Sequence, residues 1–214
     1  MTVLASTVIS SARAILLDTS NAVQRWSDAT LLSVLNEGQK ALSVLNPKAV
    51  SHTLPVQLVE GTYQSIPDDG MMFFRLTRNI TQSGSPGRAI SAVSFDAITL
   101  GSPTWHSAST SNDVYQYAPD PIDQRKFFVS PPAVLGTIVE ASYAVTPEVI
   151  EQLTDPITVP DWYQPALVDY IVYRVLSEND GDALARERSQ LHYVYFTNQV
   201  MGVPAYSPPR KGNA

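Results

Sequence analysis

Asp68 and Asp69, adjacent and followed by Gly70, come nearest in this chain to a paired-carboxylate site. Glycosidic cleavage sets two carboxyls across a cleft roughly 5–9 Å apart, whereas neighbours in a turn point different ways, so Asp-Asp-Gly reads as turn chemistry. Glu178, Asp180 and Asp182 alternate around Gly181. The ordered oxygen ligands of a calcium loop and its closing bidentate Glu are missing, and helix caps are the plainer reading. Cysteine is absent, and the three histidines, His52, His106 and His192, stand far apart. Thiolate catalysis, disulfides and Cys-containing zinc or iron–sulfur sites are excluded, and no cofactor or metal is expected. No G-x-S-x-G elbow, Walker A loop, H-E-x-x-H helix or glycine-rich dinucleotide turn occurs. A hydrolase using Asp68, Asp69, Asp120 or Asp123 as general acid would need a carboxyl in an apolar setting, and none has one in sequence. The chain is therefore expected not to be an enzyme.

Aromatic residues offer binding chemistry instead. Tyr115, Tyr117, Phe127, Phe128 and Tyr143 fall at alternating strand positions, where one face of each strand must fill a core. A glycan platform built from Trp105, Tyr115 and Tyr117 is the alternative function. Trp105 and His106 sit in a polar loop over residues 101–112, which marks them as an expected contact with a neighbouring protein. Arg25 and Trp26 precede a helix start, where Trp26 can staple a hairpin while Arg25 meets a carboxylate or a partner.

These side chains need elements to hold them. Leu4, Val8, Ile9, Ala12, Ile15 and Leu16 make one apolar helical stripe, and Leu31, Leu35, Leu42 and Leu45 a second, entered at Ser27 or Asp28 and stopped by Asn46-Pro47. Beyond Pro47 short runs rich in Val, Ile, Thr, Tyr and Phe alternate with Gly, Pro, Asn and Asp. Strands are predicted over 54–59, 72–78, 89–95, 113–118, 126–130 and 137–145, as a small antiparallel sandwich or barrel. Helical spacing returns with Leu167, Val168, Ile171, Val172, Val175 and Leu176, capped at Asp161. After Asn179-Asp180-Gly181 a last helix, capped at Asp182, carries Leu184, Leu191, Val194 and Tyr195. The expectation is an α+β fold: a four-helix bundle from residues 1–50 and 148–202, a β domain inserted over 51–147, and an extended Pro-rich tail over 203–214.

Charged residues are 16% of the chain, low for a soluble domain, which points to surface committed to partners. The net charge of −6 argues against holding nucleic acid by its phosphates. It is unevenly spread: residues 148–182 hold eight acids against Arg174 alone, whereas 183–214 hold Arg186, Arg188, Arg210 and Lys211 against Glu187. Copies meeting acidic face to basic face would use that alternation. No apolar run reaches the roughly 18 residues of a membrane span, and Arg13 lies inside the first apolar stretch, unlike a secretory signal. A soluble, unsecreted product with no membrane contact is expected.

Several strings, in order, resemble one family. Ala12–Asp18 reads A-R-A-I-L-L-D, followed by Arg25-Trp26, Leu31-Leu32 and L-N-E-G-Q from Leu35. Leu58-Val59-Glu60-Gly61, Thr77-Arg78-Asn79, Gly87-Arg88-Ala89-Ile90, Pro103-Thr104-Trp105-His106, Phe127-Phe128-Val129-Ser130-Pro131-Pro132 and Leu167-Val168-Asp169-Tyr170 continue the match, which spans most of residues 12–196. They resemble head-to-tail adaptor proteins of short-tailed bacteriophages. The resemblance implies a structural virion protein at the capsid portal vertex, made in the host cytoplasm. It would form a homo-oligomeric ring, usually of about twelve copies, between the portal protein and the tail nozzle protein, with dsDNA passing through unbound. An acidic lumen would repel phosphates and let DNA slide. Portal or subunit contacts are then expected at Arg13, Arg25, Trp26, Arg174, Arg186 and Arg188, and in the tail at Pro204, Tyr206, Pro208, Pro209, Arg210 and Lys211. Trp105 and His106 are the expected contact with the nozzle or a neighbour.

Overall fold

A computed structural model describes residues 2–20, 24–178 and 183–202. The chain divides into two compact units, Met1–Ala49 with Pro147–Ala214, and Val50–Thr146. Five α-helices lie among the described residues: α1 (Ala5–Leu16), α2 (Asp28–Leu45), α3 (Phe95–Gly101), α4 (Gln164–Ser177) and α5 (Ala183–Met201).

In the first unit α4 is the central helix, packing on α1, α2 and α5. Its Leu167, Ile171, Val172 and Val175 are buried with Val8, Ile9 and Ala12 of α1 and Leu31, Leu35 and Leu42 of α2, which are the stripes legible in sequence. Ser27 caps α2, its hydroxyl accepting from Thr30 N at 3.1 Å. The expected Asp161 cap on α4 does not form. A 3₁₀ turn, Asp161–Tyr163, precedes that helix, Pro165 fills its first turn where no N–H is needed, and the Asp161 carboxylate accepts from Val3 N at 3.3 Å. The cap residues expected at 179–182 lie outside the described residues.

Residues 147–160 contain neither α-helix nor strand and are strapped across α1 and α2. Ala5 N donates to Asp155 O and Ser6 N to Leu153 O, both at 2.9 Å, so this segment satisfies the first amides of α1, which has no side-chain cap. Asn36 of α2 donates to Ile150 O and accepts from Ile150 N, each at 2.9 Å, and Gln39 accepts from Thr158 N at 2.8 Å.

The second unit holds β1 (Ser51–Gln57), β2 (Gly61–Ser65), β3 (Gly70–Ile80), β4 (Pro86–Ala89), β5 (Ser91–Ala92), β6 (Gln116–Pro119), β7 (Lys126–Ala133) and β8 (Ile138–Val145). They form two four-stranded sheets, β1-β8-β3-β4 and β2-β7-β6-β5. The first is antiparallel throughout, and in the second β5 runs parallel to β6. Neither closes on itself, so the arrangement is not a barrel. The predicted strand at 89–95 is instead broken at Ile90, where the chain leaves one sheet for the other: Ile90 N donates to Thr77 O, and Ser91 N to Tyr115 O. α3 follows, capped by Ser94, whose hydroxyl accepts from Ala97 N at 3.1 Å.

Between the sheets Phe73 stacks on Phe127 at 4.3 Å and meets Tyr117 edge-on at 5.6 Å. Asn79, 2% exposed, bonds across: its amide donates to Arg88 O and Val114 O and accepts from Val114 N. Three backbone groups in an apolar interior are thereby matched, which a leucine in its place could not do.

Candidate interaction surfaces

The acids expected of a hydrolase are occupied in turns. Asp120 accepts from Tyr63 Oη at 2.8 Å and from the amides of Ile122 and Asp123 at 2.8 and 3.2 Å. The Ile122 amide first, and then the Tyr63 hydroxyl, hold its carboxyl below the ordinary carboxylate value. That is the opposite of what a general acid requires. Asp123 accepts from Arg125 N at 2.9 Å and faces Lys126 at 3.5 Å. Asp69 lends its backbone carbonyl to Thr146 N, while the Asp68 carboxylate is solvated 4.0 Å from Arg125. Among the described residues no cluster of His, Asp and Glu could hold a metal ion.

The glycan platform dissolves for a packing reason. Trp105 is 2% exposed and Tyr117 5%, leaving Tyr115 alone at the surface with the Arg88 guanidinium 4.2 Å over its ring. Trp105 belongs to a small core of its own with Ile98, Phe95 and Phe128, created where α3 and the 3₁₀ turn Trp105–Ser107 fold onto the second sheet. Polar neighbours in sequence suggested an exposed loop because α3 was not foreseen. His106 is the exposed member of the pair, stacked on Trp105 at 3.7 Å and sharing a hydrogen bond of 2.8 Å with Thr62 Oγ1.

The basic residues divide in the same way. Arg13, expected at an interface, is 7% exposed and held inside the first unit. Its guanidinium pairs with Asp18, donates to Trp26 O at 2.9 Å and reaches Asp28 Oδ1 at 2.7 Å. Asp18 also accepts from Arg25 N at 2.8 Å, so one buried arginine and one buried carboxylate fix the link from α1 to α2. Arg25 lies 4.8 Å over the half-buried Trp26 ring. Arg174 joins α4 to α2 through Glu37 at 3.2 Å. Arg186 and Arg188 are exposed on α5. The tail positions Pro204, Tyr206, Pro208, Pro209, Arg210 and Lys211 lie outside the described residues.

α5 corrects the sequence reading most. Leu184, Leu191, Val194 and Tyr195, expected to pack inward, are 71, 48, 48 and 38% exposed. The face turned into the unit is Ala185, Ser189, Phe196 and Val200, helped by polar bonds. Ser189 Oγ donates to Tyr173 O at 2.9 Å, and Asp169 of α4 bonds His192 at 2.7 Å and Gln199 at 2.6 Å. Two small residues and a histidine leave that face without a readable apolar stripe. Trp162, 74% exposed beside Asp161, also went unremarked in sequence, although its bulk beside a helix-starting Pro was the available signal.

What the structure presents, then, is polar side chains spent on internal joints and large apolar side chains left at the surface. Among the described residues no helix is long and apolar enough to cross a membrane. No curated protein matches the chain. A family of phage head-to-tail adaptors, described as SU10 adaptor protein, matches residues 1–209 and so takes in part of the Pro-rich tail; the chain belongs to that family.

Proposed function

We propose that this adaptor is a structural, non-enzymatic subunit of a ring of roughly twelve copies that joins the portal to the tail nozzle and surrounds the passing DNA. One observation carries the proposal: the family match runs over residues 1–209 of a 214-residue chain and therefore includes both units. The open apolar face of α5 supports it, because a subunit completed by neighbours keeps such faces for them. In this proposal α1, α2, α4 and α5 act as the four-helix, ring-building unit and make the portal contacts, with Arg25, Trp26, Arg174, Arg186 and Arg188 at or near them. The β unit, through His106, meets the nozzle or a neighbour. Residues 203–214, with three prolines and the Arg210-Lys211 pair, dock on the portal or an adjacent subunit, since a Pro-rich sequence loses little entropy on binding. The acidic total of −6 per chain keeps DNA from sticking.

Native mass spectrometry of the chain alone and with the portal of the same phage tests this. Several adaptor copies per portal are expected, and a chain ending at Gly202 should bind the portal more weakly. A chain that stays a monomer in the presence of portal would end the proposal.

A further inference from the structure

α5 has two apolar faces. Phe196 and Val200 are buried within the unit, while Leu191 and Val194 stand roughly 140–160° around the helix from Phe196. Leu191 and Val194 are each 48% exposed, with Tyr195 at 38% beside them. Single exposed apolar residues are ordinary, but a stripe of Leu, Val and Tyr at helical spacing is a helix surface built for a second partner. At the start of α5, Arg186 and Arg188 are exposed and Glu187 is the one acid of the helix.

A complementary surface exists on the same unit. Residues 148–162 contain Glu148, Glu151, Asp155 and Asp161 and no Lys or Arg. Asp155 is turned to its own loop, accepting from Glu151 N and Gln152 N at 3.2 and 2.9 Å, and Asp161 accepts from Val3 N. Outward charge is thus left to Glu148 and Glu151, which are exposed on either side of this segment's Val149. Val149 is 61% exposed and Trp162, at the far end, 74%. This strap hydrogen-bonds α1 and α2, whereas α5 is bonded along α4 and meets the end of α2 at its C-terminal turn, where Asn46 donates to Val200 O at 3.0 Å, so the two surfaces rest on different helices of one unit.

Resting on the ring reading above, we infer that the outward face of α5 seats on the 148–162 strap of a second copy of this chain. Leu191, Val194 and Tyr195 meet Val149 and Trp162, with Arg188 beside Glu148 and Glu151. Opposite charge favours this occupant, and each surface has the apolar centre and charged rim of an interface. Because the two faces differ, every bound copy still offers one of each. Such a head-to-tail contact continues from copy to copy until it closes into a ring. An α5-to-α5 contact would close after two copies and leave Val149 and Trp162 bare.

The absence of cysteine makes the contact directly testable. Chains carrying Val194→Cys and differently tagged chains carrying Val149→Cys are assembled together on the portal and oxidised. Both sites are exposed, so neither substitution disturbs a core. A disulfide joining the two tags is expected. Arg188→Glu in the first chain should cut its yield about tenfold, and Glu148→Lys with Glu151→Lys in the second should restore it. Multi-copy assemblies without the mixed disulfide, or with Val194→Cys chains joined only to one another, overturn this inference and leave the ring reading intact. An unchanged yield with Arg188→Glu overturns the assigned charge pairing. Unsubstituted chain that binds portal as a single copy, or not at all, overturns both readings.

Discussion

Arg13 shows how a residue's type can suggest one role and its surroundings impose another. A guanidinium seven-percent exposed has given up most of its water, and Asp18, Asp28 and the Trp26 carbonyl accept its hydrogen bonds in water's place. Taking the arginine away leaves Asp18, whose side chain is 5% exposed, as an uncompensated buried carboxylate. Arg13→Ala is therefore expected to cost about 3–5 kcal/mol. For a melting unit the size of the helical one this is a fall of roughly 10–20 °C in its melting temperature, read by calorimetry. Arg13→Lys keeps the charge but cannot reach three acceptors from one planar fork, so it should fall between the two. If Arg13 were instead a partner-facing residue, both variants would melt like the natural chain.

At the scale of elements, Gly38 decides how closely two helices approach. A Cβ built there would lie 2.9 Å from Tyr170 Cδ1 and 3.2 Å from its Cγ, on the side where α2 crosses α4. Alanine would favour the helix by about 1 kcal/mol, but the clash involves the root of a ring inside the packed unit and overpacking costs about 1–3 kcal/mol. Gly38→Ala is expected to destabilise by up to about 2 kcal/mol in denaturant titration, with Tyr170→Leu in the same chain recovering most of the loss. The glycine interrupts an otherwise clear stripe, and that stripe, with those of α1 and α4, was legible because its inward residues are large and apolar. β2 was not legible: its inward positions are Thr62 and Gln64. Gln64 earns its place through hydrogen bonds, accepting from Val59 N and donating to Val59 O and Gly61 O, each at 2.9 Å. A strand secured by amide chemistry shows no hydrophobic alternation. α5 was legible as a helix but read inside out, since period alone says that an apolar face exists, not which of two faces the chain itself covers. Trp105 went astray through α3, seven residues too short to announce themselves against strand-like neighbours.

For the molecule as a whole, the two units own separate hydrophobic interiors, one arranged around α4 and one held between two sheets. Chain segments pass between them only near residues 49–50 and 146–147. Cooperative unfolding follows shared buried contacts, so two interiors of this kind should melt as two units. Each has a buried polar joint that reports on it alone. Arg13 belongs to the helical unit, and Asn79, whose amide matches Val114 N, Val114 O and Arg88 O, belongs to the β unit. Asn79→Ala strips those three groups of their partners and is expected to cost about 3 kcal/mol. Scanning calorimetry of the full chain should therefore resolve two transitions, Arg13→Ala lowering one and Asn79→Ala lowering the other. Hydrogen exchange at the Val114 amide should quicken in Asn79→Ala and stay unchanged in Arg13→Ala. One transition that both substitutions lower equally would mean that the units fold as a single cooperative body. The β unit could not then be treated as an insertion free to engage a different partner from the helices.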